Sequence, residues 1–175
     1  MDEMNNIVIP IKGLPAGEHT FTFAIDGKFF QEFDNSQIKE ADCTVRVSVI
    51  RRQTLLSVEC LVGGFVITEC DRCLEDLTLK VDVQRSLTVG FGSVDVDEDE
   101  NGSEDEDVIV VDSSETQLSL DQFVYDYVCL SLPIVKVHPE GKCNPEMLKY
   151  LSGNRIEVED TVSPFKGLKD MLAGK

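Results

Sequence analysis

Between Cys43 and Phe91 apolar and polar residues alternate with a period of two, a pattern that fits half-buried strands and no amphipathic helix. Cys43, Val45, Val47 and Val49 alternate with Thr44, Arg46 and Ser48. Arg51-Arg52-Gln53-Thr54 then turns the chain, and Leu56, Val58, Cys60 and Val62 resume the pattern. Gly63-Gly64 reads as a two-residue hairpin, followed by Phe65, Ile67 and Glu69. From Leu77 to Phe91 the apolar residues keep odd positions except at Arg85, and a run this long predicts a bulge or bend near Arg85-Ser86. Sequential antiparallel strands therefore surround one short piece that does not alternate, Glu69-Cys70-Asp71-Arg72-Cys73-Leu74.

Two cysteines three positions apart on a tight turn can aim both sulfurs at one point, which is half of a tetrahedral zinc site. The cluster able to supply the other half is His138-Pro139-Glu140-Gly141-Lys142-Cys143. Arg72 cannot be a ligand, but its guanidinium would place a fixed cation beside an anionic site. Three readings stay open. Cys70, Cys73, His138 and Cys143 form a closed structural zinc set of three thiolates and one imidazole, or the pair is two reduced thiols in a turn, or it is a dithiol redox centre. A thioredoxin-like pair should open a helix after a strand. Here strand periodicity resumes at Leu77 instead. Cys43 and Cys60 lie in phase with valines and read as small core residues.

Elsewhere, Ile7 to Lys12 reads as a short strand, Thr20 to Phe23 as a second, and Phe29, Phe30 and Phe33 as one helical turn packed on the core. Val108 to Val111 reads as a buried strand. Ser119 and Gln122 suggest a capping box, with Leu118 and Phe123 as its staple. The helix that follows carries Leu120, Phe123, Val124, Tyr127 and Val128 on one face and ends before Pro133. A second helix starts at Asn144-Pro145, buries Met147, Leu148 and Leu151, and stops at Gly153. Cys143 just precedes it, where amide dipoles favour a thiolate. Ser163-Pro164-Phe165 opens a short amphipathic tail helix over 163–174, bearing Phe165, Leu168, Met171 and Leu172.

The 175 residues fit a single domain, 1–175, large enough to bury a core without disulfides. No signal-peptide pattern and no membrane-length apolar run is visible, so a cytoplasmic protein with reduced cysteines is expected. Of the net charge of −17, nine acids sit between Asp95 and Asp107 with no base among them, and the remainder still carries −8. That run should be a disordered acidic loop whose removal leaves the fold intact. A decoy for basic tails or a nucleic-acid mimic is the functional alternative to a solvated loop. An acidic chain of this kind favours basic protein partners over a phosphate backbone. No phosphate loop, Ser-His-Asp set or paired-carboxylate site is present, and His19 and His138 are the only histidines.

Cys70-Asp71-Arg72-Cys73-Leu74, the stretch Leu130 to His138, Cys143, and Ser163-Pro164-Phe165 with Leu168 resemble, in order and with similar gaps, the bacterial YceD-like proteins. That family is named for large ribosomal RNA subunit accumulation, and its members are often encoded beside a large-subunit ribosomal protein. The resemblance implies a non-enzymatic ribosome-biogenesis factor supporting synthesis, processing or stability of large-subunit ribosomal RNA. It also marks Cys70, Cys73, His138 and Cys143 as candidate site residues. Two positions depart from the pattern. Lys136 replaces a second proline, which should loosen the segment before His138, and Tyr127 replaces a residue that is often acidic, which should cost a polar contact.

The expected fold is α+β, a mainly antiparallel, strongly bent sheet covered by two or three short helices. The expected partners are basic ribosomal or assembly proteins, with ribosomal RNA served indirectly and no membrane. The alternatives are an acidic adaptor or chaperone holding a basic ribosomal protein, and a dithiol redox protein.

Overall fold

The computed structural model describes residues 6–34, 36–52, 55–92 and 107–153. Its frame is the alternating stretch. β1 (Val8–Pro10), β2 (Gly17–Asp26), α1 (Gly27–Gln31), β3 (Glu40–Arg51), β4 (Leu55–Glu69) and β5 (Asp76–Phe91) follow in order. β6 (Asp107–Val111), β7 (Gln117–Ser119), α2 (Asp121–Ser131) and α3 (Pro145–Gly153) complete the described elements. β2 to β6 form a five-stranded sheet in sequence order, and β1 pairs with β7 in a separate ribbon.

Alternation decides which face is buried. Cys43, Val45, Val47 and Val49 on β3, Leu56, Val58, Cys60 and Val62 on β4, and Val81, Leu87 and Val89 on β5 are all shielded from water. Each fully buried valine or leucine contributes about 1.5–3 kcal/mol of hydrophobic stabilisation. α2 closes this core with Val124, Val128 and the preceding Leu120, and the ribbon and its flanks add Ile7, Ile9, Ile11 and Leu118. Phe29 and Phe30 of α1 are fully buried, and the Phe33 ring stacks on Tyr125 of α2 at 4.0 Å between centroids.

Several expectations are corrected. Gly63-Gly64 is not a hairpin, because β4 runs straight through it, pairing with β3 on one side and β5 on the other. The buried phase therefore continues on even positions, through Val66 and Thr68, and leaves Phe65 55 % exposed. Gly64, at φ +156°, is there because a Cβ would lie 2.2 Å from the Asp42 carbonyl oxygen. No bulge interrupts β5, whose register against β4 is continuous from Asp76 to Gly90.

The sheet is mixed rather than mainly antiparallel. β2 to β5 are antiparallel neighbours, but β6 runs parallel to β5, with Leu87 beside Asp107 and Phe91 beside Val111. As an edge strand β6 is not buried, and Val108 and Val110 are about half exposed. The acidic stretch lies outside the described residues except for Asp107, which belongs to β6. Its carboxylate accepts the Tyr127 hydroxyl, and Arg85 lies over the Tyr127 ring at 5.1 Å. Tyr127 thus gains a polar contact where a loss was expected, and Arg85 breaks the apolar pattern of β5 to reach it.

The capping box does not form. α2 starts after Leu120 with no side-chain cap. Gln122 donates to Asp126 instead, and Asp121 Oδ1 accepts the distant Ile7 N–H at 2.6 Å. In α3, Met147 and Leu148 are partly covered, but Leu151 is 62 % exposed. The tail helix expected over 163–174 lies outside the described residues. No helix among the described residues is long and apolar enough to cross a membrane.

Candidate metal centre

β4 ends at Glu69, and the next residues fold into a tight knuckle. The Leu74 N–H donates to the Cys70 carbonyl at 2.9 Å, and the Cys70 N–H donates to the Glu75 carbonyl at 2.8 Å. Leu74 closes the turn at φ +60°, a left-handed conformation that leucine rarely adopts and only a well-held turn sustains. The knuckle brings Cys70 and Cys73 to one side, and β5 then leaves from Asp76. A strand, not a helix, follows the pair, so the geometry of a thioredoxin-like dithiol is missing.

The other half arrives on the segment that joins α2 to α3. Asn144 caps α3, its Oδ1 accepting the Glu146 N–H at 2.9 Å. Its Nδ2 donates to Glu75 Oε1 at 2.6 Å, which fastens the start of α3 to the knuckle. Cys143 is thereby held inward. Cys70, Cys73 and Cys143 are each no more than 5 % exposed and share a small cluster with Leu77, apart from the main core. Leu79, Val137, Met147 and Leu148 pack around it.

All four expected residues meet. The three sulfurs and one ring nitrogen lie within 4.8 Å of one another, with Cys70 Sγ 3.9 Å from Cys143 Sγ. His138 Nδ1 is 3.4 Å from Cys73 Sγ and 4.0 Å from Cys143 Sγ. A tetrahedral zinc ion with bonds of about 2.3 Å to sulfur and about 2.0–2.1 Å to nitrogen would have donor–donor edges of about 3.5–3.8 Å. The donor set and its spacing thus fit such an ion. His138 Nε2 donates to the Asp76 carbonyl at 3.2 Å, which leaves the Nδ1 lone pair facing the sulfurs.

Burial raises the Cys70 thiol, but the backbone N–H groups of Cys73, His138 and Arg72 outweigh it and bring Cys70 down to about 6. Arg72 therefore acts through its amide, while its side chain is exposed. The hydrogen bond with Cys70 lifts His138 above its ordinary 6.5, against the lowering effect of burial. Burial pushes Cys143 up, and its neighbours Cys73 and Cys70 add to the rise. The position before α3 does not offset the burial of Cys143. Amide N–H groups from the knuckle and from His138 favour the charged form at Cys70 instead.

Two residues that composition and spacing do not single out hold the halves together: Asp71 and Glu75. Asp71 bonds to the Lys136 backbone twice, so the lysine tightens the segment that it was expected to loosen. Lys136 supplies a backbone N–H that a proline there would lack.

An α+β protein with a mixed sheet and a buried group of three cysteines and one histidine is the class that this fold and site define. A family model described as large ribosomal RNA subunit accumulation protein YceD matches residues 58–172, so the chain belongs to the YceD family. No curated protein and no solved structure matches the chain. The family's description ties the chain to accumulation of large-subunit ribosomal RNA.

Proposed function

We propose that this protein is a non-enzymatic factor in large-subunit biogenesis, built around a structural zinc ion held by Cys70, Cys73, His138 and Cys143. The observation that carries the reading is the closed donor set. Four protein ligands leave no position for water or substrate, which is the pattern of structural rather than catalytic zinc. The ion would tie the knuckle to the α2–α3 segment and supply no chemistry of its own.

The charge argues for an indirect route to ribosomal RNA. A chain at −17 is repelled by a phosphate backbone, and its Lys and Arg are scattered along the sequence among acids. Lys39, a candidate cation near the site, already bridges Glu69 at 2.9 Å and Asp76 at 2.8 Å. A basic ribosomal or assembly protein in the cytoplasm is the partner that such a surface suits. Acting as an adaptor or chaperone for that partner is then the means by which RNA accumulation is supported.

Titrating the purified protein with large-subunit RNA fragments and with a basic ribosomal protein across a salt series tests this. Binding to the protein should persist at about 0.15 M salt while binding to RNA vanishes. RNA affinity tighter than about 1 µM at that salt overturns the indirect route.

A further inference from the structure

Asp71 contributes no donor atom to the metal centre, yet it joins the centre's two halves. Its backbone N–H donates to the Lys136 carbonyl at 2.7 Å, and its Oδ2 accepts the Lys136 N–H at 2.6 Å. The two bonds close a ring between residues 65 positions apart. On one side, Asp71 follows Cys70 directly. On the other, Lys136 stands two residues before His138. Residues 132–144 form no helix or strand, so no ladder sets where His138 lies relative to the sulfurs. Its placement depends on this clamp, on the His138–Asp76 bond and on the Asn144–Glu75 bond beyond Cys143.

We propose that Asp71 is a positioning residue of the four-donor centre, its carboxylate fixing the Lys136 backbone so that His138 Nδ1 faces the sulfurs before an ion arrives. The inference rests on the metal reading above and deepens it. The alternative is that Asp71 only stabilises the local fold. The two differ in what they predict for ligand geometry. Asp71 is exposed, so replacing it opens no cavity. The bond it accepts comes from a backbone N–H, so an amide oxygen can replace the carboxylate, whereas a methyl cannot.

Cobalt(II), whose thiolate charge-transfer and ligand-field bands report both affinity and donor set, is the probe. Asp71→Ala should bind it about 10–100-fold more weakly than wild type, the range typical of losing an outer-shell contact, with ligand-field bands altered by poorer His138 ligation. Asp71→Asn should stay within a few-fold of wild type, with its bands unchanged. Melts of the metal-free proteins separate positioning from folding, and Asp71→Ala should melt close to wild type. Should Asp71→Ala fail to fold, Lys136→Pro removes the donor and leaves Asp71 in place, and the same loss is expected.

Wild-type affinity and bands in Asp71→Ala (or in Lys136→Pro, if that variant has to stand in) overturn the proposal while leaving the metal reading intact. Equal loss in Asp71→Ala and Asp71→Asn also overturns it, because charge and not the hydrogen bond would then be responsible. A wild-type chain that takes up no cobalt overturns the metal reading, and the positioning role with it.

Discussion

Cys70 Sγ lies 3.9 Å from Cys143 Sγ, although 73 residues separate them in the chain. One follows the last residue of a core strand and the other precedes the cap of a peripheral helix. The contact is therefore the point where the sheet and the α2–α3 segment are joined, and it sits in a small cluster of its own beside the main core.

Because, among the described residues, only the partly buried Leu79 packs against both clusters, removing the proposed ion should loosen the smaller one alone. Chelation is expected to raise amide exchange across 70–76 and 136–148, while β3 and β4 stay protected. Hydrogen exchange read peptide by peptide makes the comparison. Uniform loss of protection across the sheet would show instead that the ion supports the whole fold.

The adjacent glycines of β4 should respond in opposite ways to the same substitution. A Cβ at Gly63 meets nothing within 4 Å, whereas one at Gly64 strikes the Asp42 carbonyl and the Cys43 Cα at 2.6 Å. Gly63→Ala should change stability by no more than about 1 kcal/mol. Gly64→Ala should cost more than about 2 kcal/mol, since neither backbone can give way inside a paired strand. Denaturant midpoints of the two variants decide the matter.

The core cysteines predict an alkaline weakness. Burial pushes the Cys43 thiol up to about 11 and that of Cys60 to about 12, from an ordinary 9.0. Both groups are raised in the fold, so their contribution is fully present below pH 9 and is lost as pH rises toward the folded values. By about pH 10.5 the loss from Cys60 alone should be on the order of 2 kcal/mol. Cys60→Val, of similar volume, should flatten that decline in melts taken between about pH 8 and about pH 10.5. An unchanged slope would mean that Cys60 is not the group responsible.

What could be read from the sequence was what local pattern controls. The alternation of β3, β4 and β5 and the apolar face of α2 follow from which side of each element meets the core. The convergence of Cys70, Cys73, His138 and Cys143 was suggested by ligand chemistry, since three thiols and an imidazole flanking tight turns have few other uses. Contacts made at long range were not legible. Gly63-Gly64 looked like a turn because only the approach of β3 reveals why Gly64 must lack a Cβ. The capping box failed because Ser119 bonds to Asp121 and Gln122 to Asp126, while Asp121 is itself tied to the Ile7 N–H, 114 residues away. Asp71 carries no sequence signal of its role, because its partner Lys136 lies 65 positions away.

The parallel pairing of β5 with β6 has a consequence for the acidic run. The chain leaves β5 beside Val111, at the far end of β6, and must come back to the level of Leu87 before β6 can start at Asp107. Antiparallel neighbours can be joined by two residues, but parallel ones need about a dozen or more. Residues 92–106 are therefore a span with a minimum length, whatever their composition. Replacing their acids with serine leaves that span intact. Excising 95–107 leaves three residues, 92–94, of that span and removes the first rung of β6, Asp107 beside Leu87. The charge of this connection is free to change, while its reach is set by the sheet.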